Sequence, residues 1–221
     1  MLRLYDHRTG RAEPLPAGRG LRVQILPGAG YRTLVVADLL RRVVQRGGRR
    51  VRLVSTPLAM GDAYADYSVA SVEVLDEPLP DADVYISTSA GTDTGALCLT
   101  VPAETGEPPS DPSAARLAML EVPYREPLDM SEARSSAAGE RLDGWRRKVA
   151  EWATSPGRPM SREYAAEAEA ALADDLGGPG ALAVLDRLAA DPGVAPGAKL
   201  ETFIHLDMVL ALGLVSAIGT A

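Results

Sequence analysis

The chain has 221 residues, 46% hydrophobic and 24% charged, with a formal net charge of −7, which bounds it to one ordinary globular domain or one domain with a helical appendage. Residues 1–56 carry 12 arginines against 3 acids, a net of +9, whereas residues 57–110 hold ten acids and no lysine or arginine; so acidic a chain is a poor general nucleic-acid binder, and only its first quarter could offer a local anion contact. A single cysteine, Cys98, excludes an internal disulfide, and nothing approaches the ~18 apolar residues of a membrane span.

Val23–Leu26 reads as a strand that ends at Pro27-Gly28-Ala29-Gly30. Leu34, Val35, Ala37, Leu39, Leu40, Val43 and Val44 then recur at helical spacing, Arg46 suits the last turn, and Gly47-Gly48 stops the helix before a second strand at Val51–Val54. Strand, glycine turn, helix and strand make a βαβ unit with parallel strands and a right-handed crossover. Further strands are predicted at Ser71–Leu75, Asp83–Ser87 and Ala96–Val101, before a proline-rich break at residues 102–112. Beyond it the pattern is helical: Ser113–Leu120 with Ser113 as N-cap, and Ser131–Thr154 with Leu142, Trp145, Val149 and Trp152 on one face. Ser161–Leu176, Pro179–Ala190 and Lys199–Leu214 complete the set, the first two forming a hairpin about Gly177–Pro179. The architecture expected is α/β, a Rossmann-like parallel-sheet domain over residues 1–110 followed by a small helical bundle over residues 111–221.

Three segments resemble the cysteinyl-tRNA synthetases and the related cysteine ligase of the mycothiol pathway. They are LRLYDHRTGRAEPL at residues 2–15, VQILPGAGYRTLVVADLLRRVVQRGGRRVRLV at residues 23–54, and the pair AARLAMLEVPYREPLD and ALADDLGGPGALAVL within residues 114–190. The resemblance implies a class I synthetase fold and, in intact members, adenylate chemistry. It also exposes departures. The family's His-x-Gly-His element should precede the first helix, but Tyr31-Arg32 runs straight into Thr33, and the two histidines of the chain, His7 and His205, lie elsewhere. The family's Lys-Met-Ser-Lys-Ser loop should precede residue 115, but the two lysines, Lys148 and Lys199, come after it. The first cysteine of the family's zinc site is Leu26 here. Adenylate formation needs cations where phosphate charge develops, so the resemblance implies a truncated paralogue without catalytic residues, zinc or other cofactor.

The remaining candidates are few. Pro27, Gly28, Ala29 and Gly30 could cradle a phosphate at the helix start, with Tyr31, Arg32 and Arg41 as nucleotide-binding neighbours; the alternative is a tight connection spliced over a deletion, since neither a dinucleotide fingerprint nor a P-loop is complete. Asp174-Asp175 reads as a structural element between two helices, Cys98 as a small buried hydrophobe, and His205 as structural. The functional expectation is a cytoplasmic binding or regulatory protein that works through a protein partner or self-association, with a small metabolite as a further ligand class; the alternatives are a ligase-like enzyme or nucleotide or aminoacyl-adenylate binder that uses a non-standard cationic set and, more weakly, binding of tRNA or another RNA through the arginine-rich first quarter.

Overall fold

In the computed structural model, residues 1–90 and 95–219 are described. The chain opens with an antiparallel hairpin, β1 (Arg3–Asp6) and β2 (Arg11–Pro14). The predicted βαβ unit follows as β3 (Gly20–Ile25), α1 (Tyr31–Arg46) and β4 (Arg50–Ser55), each a little longer than its apolar run. Gly47 closes α1 by donating to Val43 O, and Gly48 takes the positive φ of +80° that turns the chain towards β4. β5 (Glu73–Val74), β6 (Val84–Ser87) and β7 (Leu97–Thr100) complete a five-stranded sheet in the order β5-β4-β3-β6-β7, with every pairing parallel. This is a Rossmann-like α/β sheet, reversing direction at β3. β5 is shorter than the apolar pattern of residues 71–75 suggests, because it sits at the edge with both residues exposed.

β6 and β7 are neighbours although only residues 88–96 connect them, fewer than the helical crossover such a parallel pair ordinarily needs. The outer edge of β7 is covered by the opening hairpin: His7 N–H donates to Cys98 O at 2.9 Å, and the Asp6 carboxylate accepts from Cys98 N–H at 3.3 Å. That places Cys98 in a buried strand, as its apolar flanks suggest.

The second half is helical. The N-cap of α2 (Pro112–Leu120) is Asp111, not Ser113: its carboxylate accepts the Ser113 amide at 2.8 Å, and Pro112 takes the first helical position, where a missing N–H costs nothing. An unpredicted parallel pair, β8 (Glu104–Gly106) with β9 (Leu128–Met130), brackets α2. α3 (Glu132–Trp152) is capped by Ser131 and buries Leu142, Trp145, Val149 and Trp152, the last two turns packing the tryptophans edge-on against Phe203. α4 (Arg162–Ala173) stops three residues before the predicted end, because Asp175 and Leu176 turn left-handed at φ +54° and +52°. α5 (Gly178–Ala190) then packs along α4. Its start is held tightly: a side chain on Gly178 would meet Leu120 O at 2.6 Å. α6 (Pro196–Leu210) begins and ends earlier than read, since Pro196 fits a first turn and Asp207 accepts the Leu212 and Leu214 amides at 2.7 and 2.9 Å just past the left-handed Ala211.

The sheet segment and the helical segment share one apolar cluster that runs from Leu4 to Leu214. A buried ion network crosses between them. Asp38 on α1 and Arg116 on α2 are both wholly buried and meet at 2.9 Å; Arg116 also donates to Tyr67 O at 2.9 Å and Leu210 O at 2.7 Å. Arg42 at 2.7 Å and Arg41 complete the shell around Asp38. Burial alone would raise the Asp38 carboxyl, but Arg116, then Arg42 and Arg41, hold it below the usual carboxylate range. No helix among the described residues is long and apolar enough to cross a membrane.

Candidate functional site

In an open parallel sheet the ligand crevice lies beyond the carboxyl ends of the strands, where strand order reverses. Here that point is the turn after β3. Leu26 N–H still donates to Ile86 O at 2.9 Å, so β3 and β6 stay paired to their ends. Gly28 then takes φ +87°, a conformation that a side chain would strain, and its open face looks onto Thr88 Oγ1. Ala29 is buried, and Gly30 caps α1 in an extended conformation with no side-chain acceptor of its own.

The acceptor comes from elsewhere. Glu104 on β8 brings its carboxylate to the start of α1: both oxygens lie 3.4 Å from the Arg32 amide nitrogen, and a Cβ on Gly30 would approach them at 3.0 and 3.1 Å. The first turn of a 16-residue helix carries free N–H groups and the positive end of the dipole. That end is already met by an anion of the chain itself. Tyr31 stacks on Tyr67 beside it, with ring centroids 4.6 Å apart. Burial first, then Tyr31 and Glu104, hold the Tyr67 phenol above its ordinary value.

The Arg32 side chain turns inward. It is wholly buried and donates to the carbonyls of Glu126 at 2.5 Å, Pro123 at 3.0 Å and Val122 at 3.5 Å, leaving Nε without an acceptor. Burial pulls its guanidinium down to about 10, against the attraction of Glu104 and Glu126, so it remains charged at neutral pH. Arg41 stands nine residues further along α1, about 14 Å at 1.5 Å per residue, and is committed to Asp38. The structure therefore gathers Pro27–Arg32 at one place but does not bring Arg41 to them.

The other candidates resolve as structural ties. Asp175 accepts from the Tyr5 amide at 2.8 Å and the Tyr124 hydroxyl at 2.5 Å, and pairs with Arg125 at 2.8 Å, which fixes the opening hairpin to the α4–α5 corner. Burial and this hydrogen bond raise the Tyr124 phenol far above its normal range. His205 lies 2.8 Å from Glu169, next to Arg46, and His7 sits edge-on to Tyr5. Among the described residues no group of three or more histidine, cysteine, aspartate or glutamate side chains is placed to hold a metal ion. With leucine at position 26 and Cys98 buried on β7, the donor set does not fit a thiolate zinc site. Six arginines of the basic first quarter, Arg8, Arg22, Arg41, Arg42, Arg46 and Arg52, are ion-paired with acids.

No family model matches the chain. Among characterised proteins it is similar to L-cysteine:1D-myo-inositol 2-amino-2-deoxy-α-D-glucopyranoside ligases. The Parafrankia sp. protein is 44% identical over 81 residues, 37% of this chain and 17% of that ligase. The Streptomyces griseus protein is 41% identical over 108 residues, 47% of this chain and 25% of the ligase, and the Streptosporangium roseum protein 39% identical over 109 residues, 48% and 26%. Its homologues are cysteine ligases. The likeness covers 37–48% of this chain and 17–26% of these relatives' length, so it supports a synthetase-like ancestry of the scaffold.

Glu104 was not legible as a site residue. It lies in the proline-rich break with no periodic pattern around it, and its meeting with Gly30 depends on β8 returning beside β9. A carboxylate 74 residues from a bare glycine cap carries no local signal.

Proposed function

We propose that the chain is a non-catalytic paralogue of the cysteine ligases that acts as a binding or regulatory protein, through a protein partner or a second copy of itself. The observation that supports this most directly is the Glu104 carboxylate at the start of α1, in the position where an incoming phosphate would need free amides. Arg32, the nearest cation in sequence, is spent on backbone carbonyls, and Arg41 on Asp38. A site for developing phosphate charge needs donors aimed at vacant space; these are aimed at the fold. The polarised charge, basic in residues 1–56 and acidic in residues 57–110, would guide heterotypic or head-to-tail contact at low salt.

The test is cysteine-dependent ATP–pyrophosphate exchange with the purified chain. No exchange above a no-enzyme control is expected, and elemental analysis of the same sample should find no stoichiometric zinc. Clear exchange, or one tightly held zinc per chain, would overturn the proposal. Analytical ultracentrifugation at low and high salt separates self-association, which should weaken with salt, from dependence on another protein.

A further inference from the structure

At the opposite end of the strands, where β3 and β4 begin, the hairpin, the end of α1, α4 and α6 line a groove of about 550 Å³. This volume is in the range of small-molecule sites. Its floor is buried Leu172, Leu206 and Val209; Leu15 and Val43 form half-buried walls. Two cations stand at its rim. Arg46 is neutralised by Glu169 at 3.1 Å and shares His205. Arg49 is different: one terminal nitrogen donates to Gly20 O at 2.8 Å, its Nε is buried without an acceptor, and no carboxylate pairs with it among the described residues.

We propose that this groove binds a small monocarboxylate with an apolar body, the carboxylate meeting Arg49 and the body lying along the leucine and valine walls. Arg49 carries guanidinium N–H groups that no carboxylate of the described residues neutralises, and an anionic oxygen is the partner such groups favour. Three carbonyls at the end of α1 are already hydrogen-bonded within the chain. Val43 O accepts Gly47 N–H at 3.3 Å, Gln45 O accepts Gly48 N–H at 2.9 Å, and Val44 O accepts Arg49 N–H at 3.4 Å. The apolar walls need an aliphatic or aromatic partner, since water gains little there. This site is remote from Glu104 and Arg32, so its occupancy is independent of whether the strand-end crevice is catalytically silent.

Dodecanoate, kept below its micelle concentration, is the probe, with dodecanol as its uncharged counterpart, both titrated by calorimetry against the full chain. Dodecanoate should bind saturably at one per chain. Arg49→Gln should weaken it on the order of tenfold, the loss of one charge-assisted pair, while moving dodecanol by less than twofold. Val43→Trp should fill the groove and abolish both; Leu15→Trp on the opposite wall serves if the first variant does not fold by circular dichroism. The absence of saturable binding would overturn the proposal, as would equal weakening of both probes by Arg49→Gln. So would a concentration-dependent dimer that Val43→Trp dissociates without any dodecanoate binding, which would assign the groove to a second copy.

Discussion

Replacing Arg116 by methionine tests whether the buried network holds the two halves of the fold together. The side chain is wholly buried and makes three contacts at 2.7–2.9 Å, to Leu210 O, Tyr67 O and Asp38. Breaking a buried pair by removing one partner costs about 3–5 kcal/mol. Asp38 keeps Arg41 and Arg42, whose side chains are 18% and 23% exposed, so about 3 kcal/mol is expected. For a domain of this size that lowers the melting temperature by roughly 6–12 °C. Asp38→Asn should cost more, about 4–5 kcal/mol, because it leaves the Arg116 charge buried with carbonyls alone. In urea denaturation at pH 7 the double variant should lose at least about 1.5 kcal/mol less than the sum of the singles, the signature of direct coupling. The pH dependence has a fixed sign. The folded carboxyl of Asp38 is depressed by its arginines, so its contribution is complete above the unfolded value of about 3.9 and fades as pH falls through the lower folded value. The gap between the parent chain and Asp38→Asn should therefore close only below about pH 4. A loss under about 1 kcal/mol for Arg116→Met, or strict additivity of the double variant, would refute the reasoning.

Two further substitutions probe the helical half. Leu185→Asp puts an unpaired charge where a wholly buried leucine packs in the α4–α5 hairpin, and should unfold that hairpin, read as lost helical signal and a lowered melting temperature; an unchanged melting temperature refutes the packing. Gly178→Ala forces a methyl against Leu120 O at 2.6 Å; a destabilisation of about 1–3 kcal/mol is expected in chemical denaturation, and a neutral outcome would show that α2 and α5 can part without cost.

The βαβ unit was readable because its signals are local and agree: an apolar strand, a 3.6-residue apolar repeat, and paired glycines at its end. The helices of the second half were readable for the same reason, and their ends were not. The Asp111 cap was obscured by a proline that shifts the first turn, and the early stop of α4 depends on Asp175 reaching Tyr5 and Tyr124, 170 and 51 residues away. β8 and β9 pair across an intervening helix, so neither carries a pattern of its own. At the candidate site the turn Pro27–Gly30 and the start of α1 were in the sequence, whereas the Glu104 contact, the commitment of Arg32 to three carbonyls, and the groove at Arg49 arise only when distant segments meet.

The apolar cluster with members from Leu4 to Leu214 ties the sheet segment to the helical segment. Arg116 reads the end of α6 and the turn before β5 at once, so neither half has a finished surface to present to water when the other is withdrawn. A protease that nicks the exposed, proline-rich segment near residue 107 would leave two fragments that stay associated and melt together, rather than release two domains.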